Sequence, residues 1–160
     1  MRINIEPDEH IVASLPKVWG NEVGLMGFFK KSKEGILVLT NKQIIFVPRF
    51  VPLIPREREK FFGGDEAKVT VMDNYSESDL DEDISEQSSS LLLPLGSIAN
   101  VENVESRKVN FLRIKCIFNG KTKTYDFGIA ESVTNYPIRQ PLRFHNVDWN
   151  AWIKLIKSYL

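Results

Sequence analysis

The sequence predicts a mainly β domain, a bent antiparallel β-sandwich or partial barrel of about seven strands closed by one C-terminal helix. Two hairpin patterns and one change of periodicity support this fold class. Apolar runs flank short turns within residues 36–47 and 110–127. From about residue 146 onward the apolar residues recur every three to four positions, which is typical of a helix.

Length and composition limit the class of protein. A chain of 160 residues favours one domain, spanning 1–160, with an inserted region at 50–90. A hydrophobic fraction of 42% and a charged fraction of 26% exclude wholesale disorder. No apolar run approaches the ~20 residues that span a bilayer, and residues 1–8 lack the apolar core of a secretory signal, so we expect a cytoplasmic protein. With one cysteine and two histidines, we expect no disulfide, metal or cofactor.

The first hairpin is predicted near the N-terminus. Residues 36–40 and 43–47 are short apolar runs, and Asn41 and Lys42 between them suit a tight turn. Residues 21–29 are also strand-like, being rich in glycine and apolar side chains. Three prolines follow the hairpin and end the sheet pattern, because proline cannot donate a hydrogen bond to a neighbouring strand.

The inserted region does not have the pattern of a sheet core. Residues 56–64 end in two glycines and predict a turn of helix, and residues 67–72 predict a short strand. Residues 73–90 are acidic and serine-rich, and from residue 74 they show no periodicity, which predicts a solvated loop. The acidic part contains seven acidic residues and no basic one, so the rest of the chain has 21 basic and 14 acidic residues.

The second hairpin has the clearest signal. Asn119 and Gly120 supply the positive φ angles of a type I′ turn, and counting outward from this turn places Arg113 opposite Asp126. Such an opposite-charge pair contributes about 0.2–1 kcal/mol and fixes the register on the outer face. The other face is predicted to enter the core and comprises Leu112, Ile114, Cys116, Phe118, Tyr125 and Phe127.

The last segment predicts an amphipathic helix from about residue 146 to residue 160. Its apolar stripe comprises Trp149, Trp152, Ile153, Ile156 and Leu160. Asn146 or Asp148 is the expected N-cap. We expect Trp149 and Trp152 to have a structural role, closing the mouth of the bent sheet.

Four motifs, in this order, resemble those of GRAM domains and their pleckstrin-homology (PH)-like relatives. Residues 35–46 resemble the glycine-led hairpin of the family, and residues 93–101 resemble its proline-leucine element. Residues 112–127 resemble the next hairpin, and the C-terminal tryptophans resemble the closing helix. GLUE domains, which bind ubiquitin and lipids, have a similar first hairpin. The resemblance implies a PH-like fold and a non-catalytic module that binds anionic lipid headgroups or a protein. The insertion departs from the family pattern.

The resemblance also implies a lipid site in the connection between the first two strands. Lys30, Lys31 and Lys33 lie there, and Lys42 lies on the next turn. Ammonium groups on flexible stems can bind phosphate as point charges. The family's arginine is missing from this connection, and the alternative is a solvated polar turn.

Two further segments are candidate contact surfaces. Phe50, Arg56, Arg58, Phe61 and Phe62 combine apolar and basic side chains that could enter a membrane interface or contact a partner. The alternative is that the two adjacent phenylalanines fold back as a small satellite core.

The acidic insert is a candidate regulatory or docking segment that could shield the basic remainder of the chain or accept phosphate. The residues in question are Ser76, Ser78, Asp79, Asp81, Glu82 and Asp83. The alternative is a plain solubilising loop.

Other function classes are disfavoured. His10 and His145 lie in no spacing that suggests a base and nucleophile, and Cys116 alternates with apolar residues as a core thiol does. The pattern that indicates nucleic-acid binding is a dense basic run interleaved with aromatic residues, and the sequence does not contain one. We therefore expect a binding module rather than an enzyme, with an anionic membrane surface as the first partner. The alternative partner is a protein, bound as a peptide or a ubiquitin-like domain.

Overall fold

The computed structural model describes residues 2–24, 32–136 and 138–160. This part of the chain forms eight β-strands and three α-helices. The strands are β1 Ile11–Glu22, β2 Lys33–Thr40, β3 Gln43–Val47, β4 Leu91–Pro94, β5 Ile98–Ser106, β6 Val109–Phe118, β7 Lys121–Thr134 and β8 Gln140–His145. The helices are α1 Pro55–Phe62, α2 Glu77–Glu86 and α3 Asn150–Lys157. None of these helices is long and apolar enough to cross a membrane.

The strands form one antiparallel sheet in the order β4-β3-β2-β1-β7-β6-β5, and β8 pairs with β7. Strand β1 pairs with β2 along most of its length and with β7 from Val18 to Glu22. A register shift between Leu15 and Val18 bends β1, and Lys17 in the bend has a φ of 60°. The sheet therefore folds over at β1 and encloses the main core between its two halves. The predicted fold class is confirmed, with eight strands in place of about seven.

Both predicted hairpins are present. In the first, β2 and β3 pair from Ile36 opposite Val47 to Leu39 opposite Ile44. In the second, Asn119 and Gly120 have φ angles of 48° and 77°, as a type I′ turn requires. Arg113 lies opposite Asp126, and the guanidinium donates to both carboxylate oxygens at 2.8 and 2.9 Å.

The C-terminal helix α3 closes the core but is shorter than the predicted range of 146–160. Trp149 occupies the N-cap position without a side-chain cap, so neither predicted cap residue is at that position. The Asp148 carboxylate instead accepts a hydrogen bond from the Asn150 amide at 2.8 Å. Trp149 and Trp152 are fully buried, which supports the predicted structural role. The Trp152 indole donates to the Lys68 carbonyl at 3.0 Å, which joins α3 to the inserted region.

The inserted region contains two helices, and the prediction of a solvated loop at residues 74–90 is wrong. Leu80 and Ile84 lie one helical turn apart on α2 and are buried. They pack on the outer face of β2 and β3 with a set of apolar side chains that includes Ile5, Ile36, Val38, Ile45, Val47 and Tyr75. This second cluster offsets the entropy of ordering the insert.

Residues 67–72 are extended but do not form the predicted strand. They lie beside β1, where the Ser14 amide donates to the Thr70 carbonyl at 2.9 Å and the Met72 amide donates to the Ser14 hydroxyl at 2.7 Å. These isolated bonds satisfy backbone groups at the bend of β1 without a regular strand pairing.

Candidate binding site at the open end of the sandwich

A pocket of about 240 Å³ opens at the end of the sandwich where β1 ends and β7 begins. The Val23 amide donates to the Thr124 carbonyl at 2.8 Å, so the start of the connection between β1 and β2 is fixed to β7. The pocket is lined by residues that include Gly20, Asn21, Glu22, Lys33, Phe46 and Tyr125. We call this feature the mouth.

Close packing forms the floor of the mouth. The rings of Phe46 and Phe127 lie 5.5 Å apart, one from each half of the sheet. A Cβ atom added at Gly20 would lie 2.9 Å from the Phe127 ring, so this position in β1 accommodates the ring only because it has no side chain. The mouth is therefore shallow, and its floor is the apolar core.

The inner face of β7 changes from apolar side chains at the mouth to basic side chains at the start of the strand. Phe127 and Tyr125 are buried, and Lys123 and Lys121 follow on the same face because side chains alternate along a strand. Both lysines are exposed, as is Lys33 on β2. Lys33 lines the mouth, whereas Lys121 and Lys123 lie beyond its lining, where β7 begins. We call these three residues the mouth lysines.

Two of the residues that line the mouth, Tyr125 and Asn21, have buried polar groups. Burial, and secondarily the charge of Glu22, raises the pKa of Tyr125 to about 12, so its phenol remains neutral. Asn21 is buried, and its Oδ1 atom has no hydrogen-bond partner among the described residues.

The predicted lysine site is divided by the structure. Lys33 lies at the mouth, whereas Lys42 lies at the far end of β2, roughly 25 Å away for a strand of this length. The Lys42 ammonium contacts the carboxylates of Glu6 and Asp8 at 3.0 and 3.3 Å. The hydrogen bonds that the ammonium donates to these carboxylates, the one to Glu6 first, raise the pKa of Lys42. Grouping Lys42 with Lys33 was wrong, and Lys30 and Lys31 lie outside the described residues.

The second predicted surface is also divided. Phe61 and Phe62 are buried in the main core, so the membrane-contact interpretation is wrong for them, and they join the central core rather than a satellite. Arg58 is half-buried with its guanidinium 5.9 Å from the Phe62 ring centre, and Arg56 is exposed.

Phe50 alone among these phenylalanines is exposed, with 53% of its surface accessible. The Lys17 ammonium and the Arg139 guanidinium lie 4.3 and 4.6 Å from its ring centre. Both cations also contact the Glu34 carboxylate, at 3.1 and 2.7 Å. Phe50 therefore belongs to a cation–π cluster that connects β1, β2 and the start of β8.

The acidic insert is ordered by its own charged groups. Ser76 caps α2, since its hydroxyl accepts the Asp79 amide and the Asp79 carboxylate accepts the Ser76 amide. The Asp83 carboxylate accepts the Tyr75 hydroxyl at 2.7 Å and contacts Arg49 at 2.9 Å. Ser78 and Glu82 are exposed. The regulatory role of the insert stays a prediction.

Asp81, which sequence reasoning placed in the regulatory insert, fixes the N-terminal segment. It is buried, and its carboxylate accepts the amides of Ile3, Asn4 and Ile5 at 2.7 to 3.1 Å. Burial raises the pKa of Asp81, but these three amides together lower it below the ordinary value. The contact is structural.

The residues considered for catalysis are not assembled into a reactive group. Cys116 is fully buried, and burial raises the pKa of its thiol to about 11. His145 contacts Asp65, with 2.7 Å between Nε2 and Oδ1. Within residues 2–24, 32–136 and 138–160, no three His, Cys, Asp or Glu side chains are grouped to hold a metal ion.

Comparison with known proteins supports the fold. No protein-family model matches the chain, and no curated protein matches it. Among solved structures, the chain is similar to the Vps36 N-terminal PH domain, with a TM-score of 0.50 and 11% sequence identity. The match covers 97% of this chain and 81% of the other. The chain therefore has a PH-like fold.

Lys121 and Lys123 were not considered from the sequence, although the sequence predicts the face of β7 on which they lie. The predicted turn at Asn119 and Gly120 determines which alternate residues of β7 face the core. It places both lysines on the same face as Tyr125 and Phe127. Considering lysines only in the first connection and on the next turn left out the β6–β7 hairpin.

Proposed function

We propose that the protein is a non-enzymatic, PH-like binding module that contacts anionic membrane surfaces with its mouth and is peripheral at membranes. The observation that carries this proposal is the change from apolar to basic side chains along the start of β7, at the same end of the sandwich as Lys33. The sequence adds Lys30 and Lys31 to the connection at the same end. We also propose that this module is of the GRAM type or of the GLUE type.

The chemistry fits a charged surface better than one deeply bound headgroup. The mouth is small and shallow, and its cations are lysines, which bind phosphate as flexible point charges rather than as bidentate forks. Each lysine near an anionic membrane contributes about 1 kcal/mol, so several together give a measurable affinity. Such binding is expected to weaken as salt screens the charges.

The test is co-sedimentation with vesicles of phosphatidylserine and phosphatidylcholine. We expect K121E/K123E to bind at least tenfold more weakly, because two attractive charges become repulsive. The matched control is K115E/K154E, which changes the net charge equally at two exposed positions outside the mouth. An equal loss in the control, or unchanged binding of the mouth variant, would refute the proposal.

A second measurement separates a membrane from a peptide at the same site. Binding to the vesicles should fall steeply between about 0.05 and 0.5 M salt if the mouth lysines act through long-range attraction. Phosphatidylcholine vesicles alone should not bind. Salt-insensitive binding, or equal binding to neutral vesicles, would contradict an electrostatic membrane contact.

A further inference from the structure

The end of β7 and the strand β8 form a two-stranded hairpin that extends beyond the rest of the sheet. In the described part of the chain, β7 pairs with β6 as far as Phe127 and with β1 as far as Ile129. From Ala130 to Thr134 its described partners all belong to β8. We call Asn135, Tyr136, Ile138 and Arg139, which lie between the two strands, the hairpin tip.

Arg139 fixes the hairpin tip to the main sheet. Its Nε and Nη2 atoms donate to one oxygen of the Glu34 carboxylate at 2.9 and 2.7 Å, and its Nη1 atom donates to Asn135 at 2.9 Å. The Glu34 side chain is only 4% exposed, so the contact holds the tip against β2. The Lys17 ammonium contacts the same carboxylate at 3.1 Å. Two cations therefore share one carboxylate, and this anchor has a net positive charge.

The anchor lies at the same end of the sandwich as the mouth. Glu34 directly follows Lys33, which is the first residue of β2 and lines the mouth. Because side chains alternate along a strand, Lys33 belongs to the inner face of β2 and Glu34 to its outer face. The hairpin tip and the mouth are therefore neighbours on the two faces of one strand end.

The hairpin tip exposes two large apolar side chains. Tyr136 is 87% exposed and Ile138 is 57% exposed. The half-exposed ring of Phe50 lies at the base of the tip, with its centre 4.6 Å from the Arg139 guanidinium. Clustered apolar side chains that a protein holds in solvent mark interaction sites.

The charge around the hairpin tip is positive. Residues 132–147 include two arginines, Arg139 and Arg143, and no aspartate or glutamate. Arg143 is balanced by Glu131 at 3.2 Å, whereas Arg139 belongs to the anchor with its net positive charge. Lys33, next to the anchor, is exposed. An anionic surface therefore meets no carboxylate between positions 132 and 147.

We propose that the hairpin tip inserts Tyr136 and Ile138 into the interfacial region of an anionic bilayer while the mouth lysines contact its headgroups. Tyrosine accumulates at this depth because its ring is apolar and its hydroxyl stays in water. Apolar side chains beside basic ones are typical of elements that lie in the interface. The inference rests on the proposed membrane binding and adds to it an apolar anchor.

The shape of the hairpin tip favours a bilayer over a second protein. The tip ends a two-stranded extension and presents its apolar side chains outward, so it is convex. A protein partner would need a matching recess, whereas a fluid interface accommodates a convex element of any outline. The positive charge of the anchor also complements anionic lipids.

The first test removes the two apolar side chains. Y136S/I138S should bind vesicles of phosphatidylserine and phosphatidylcholine about tenfold more weakly than the native chain, because less apolar surface leaves water. Co-sedimentation measures the binding.

The matched control is I3S/Y159S, which removes one isoleucine and one tyrosine from exposed positions near the two chain ends. It should bind as the native chain does, and both variants should keep the native melting temperature. An equal loss in the control, or unchanged binding of Y136S/I138S, would overturn the inference.

Salt separates the apolar anchor from the mouth lysines. Burial of apolar surface is not screened, so the ratio of native to Y136S/I138S affinity should stay constant as salt rises. The ratio of native to K121E/K123E affinity should instead fall toward one, because it depends on charge. A Y136S/I138S ratio that falls in the same way would contradict insertion of apolar side chains.

Insertion itself can be observed with Tyr136→Trp. The three native tryptophans, Trp19, Trp149 and Trp152, are buried, so they supply a constant background. On vesicles with brominated acyl chains, the fluorescence of the introduced indole should shift to shorter wavelength and be quenched. Ile3→Trp, at a comparably exposed position, should not be quenched. Equal quenching of the two, or none for bound Tyr136→Trp, would overturn the inference.

The outcomes distinguish this inference from the proposed function. If K121E/K123E loses binding and Y136S/I138S does not, the hairpin tip alone is refuted. If Y136S/I138S loses binding and K121E/K123E does not, the tip is supported and the mouth is refuted. If the native chain binds no vesicles, the proposed function fails and the inference fails with it. A native dimer that Y136S/I138S abolishes would assign the tip to a second copy of the chain and overturn the inference.

Discussion

The Asp81 carboxylate on α2 accepts a hydrogen bond from the Asn4 amide at 2.7 Å, which joins positions 77 residues apart in the sequence. The same carboxylate accepts the amides of Ile3 and Ile5, and Ile5 is buried against α2. The N-terminal segment and the insert therefore stabilise each other.

Replacing Asp81 should destabilise the protein strongly. Asp81→Ala leaves three backbone donors without their charged acceptor, which should lower the free energy of unfolding by about 3 kcal/mol. The measurement is urea unfolding followed by circular dichroism. Glu82→Ala, at an exposed neighbouring position, should change stability by less than about 0.5 kcal/mol. Similar values for both variants would contradict the assigned contact.

Stability should decline at acidic pH through the same helix. The Ile11 amide is the main cause that lowers the pKa of Glu77, and the amides of the N-terminal segment lower the pKa of Asp81 despite its burial. Because both values are lower in the folded state, this stabilisation is complete above the ordinary carboxyl pKa of about 4. It is lost as the pH falls through the lowered values.

Urea midpoints measured from about pH 6 to pH 2.5 test this dependence. The double variant E77Q/D81N should be less stable at neutral pH, and its midpoint should decline less steeply in acid than that of the native chain. Parallel declines would show that other groups govern acid stability.

Packing of the insert can be tested through its core. Leu80 is fully buried, so Leu80→Ala should lower the free energy of unfolding by about 2–5 kcal/mol. If residues 74–90 were a solvated loop, the same change would have almost no effect. Glu86→Ala on the exposed side of α2 is the control, and thermal unfolding is a sufficient measurement.

Because two strands approach closely at Gly35, we expect this position not to tolerate a side chain. A Cβ atom added at Gly35 would lie 2.2 Å from the Val47 carbonyl oxygen, which is backbone and cannot rotate away. Gly35→Ala should therefore lower the free energy of unfolding by about 3 kcal/mol. At Gly96 an added Cβ meets nothing within 4 Å, so Gly96→Ala should be nearly neutral in the same denaturation experiment. Equal effects would contradict the packing of β2 against β3.

Local signals predicted much of the fold. The turn at Asn119 and Gly120 gave the register of β6 and β7, including the Arg113–Asp126 pair, because turn geometry and alternation act over a few residues. The tryptophan spacing gave α3 for the same reason. Strand β1 was missed apart from its last residues, since it contains Pro16 and Gly20 and bends at Lys17.

The insert was misjudged because its composition was given more weight than its pattern. Ser76 followed by Asp79 is a helix-start signature, and Leu80 and Ile84 lie four residues apart. A further indication was in the first hairpin, where Ile36 and Val38 are apolar on the face that should be solvated. A strand that is apolar on both faces requires a covering element.

The candidate site was predictable only in part. Lys33 was expected in the first connection and is the first residue of β2, whereas the separation of Lys42 depends on its ion pairs with Glu6 and Asp8. Residues from distant parts of the chain also meet at the mouth, where the ends of β1 and β2 lie near β7. No short sequence pattern reports such a meeting.

The shared strand β1 has a consequence for how the chain folds. Its last residues pair with β7, so Val18 must find Ile129 after most of the chain has been synthesised. The entropic cost of closing so long a loop comes before the free energy that its contacts supply. Topologies of this kind therefore refold in milliseconds to seconds rather than microseconds. We expect refolding from urea to be slow and to be limited by the closure of β1 onto β7.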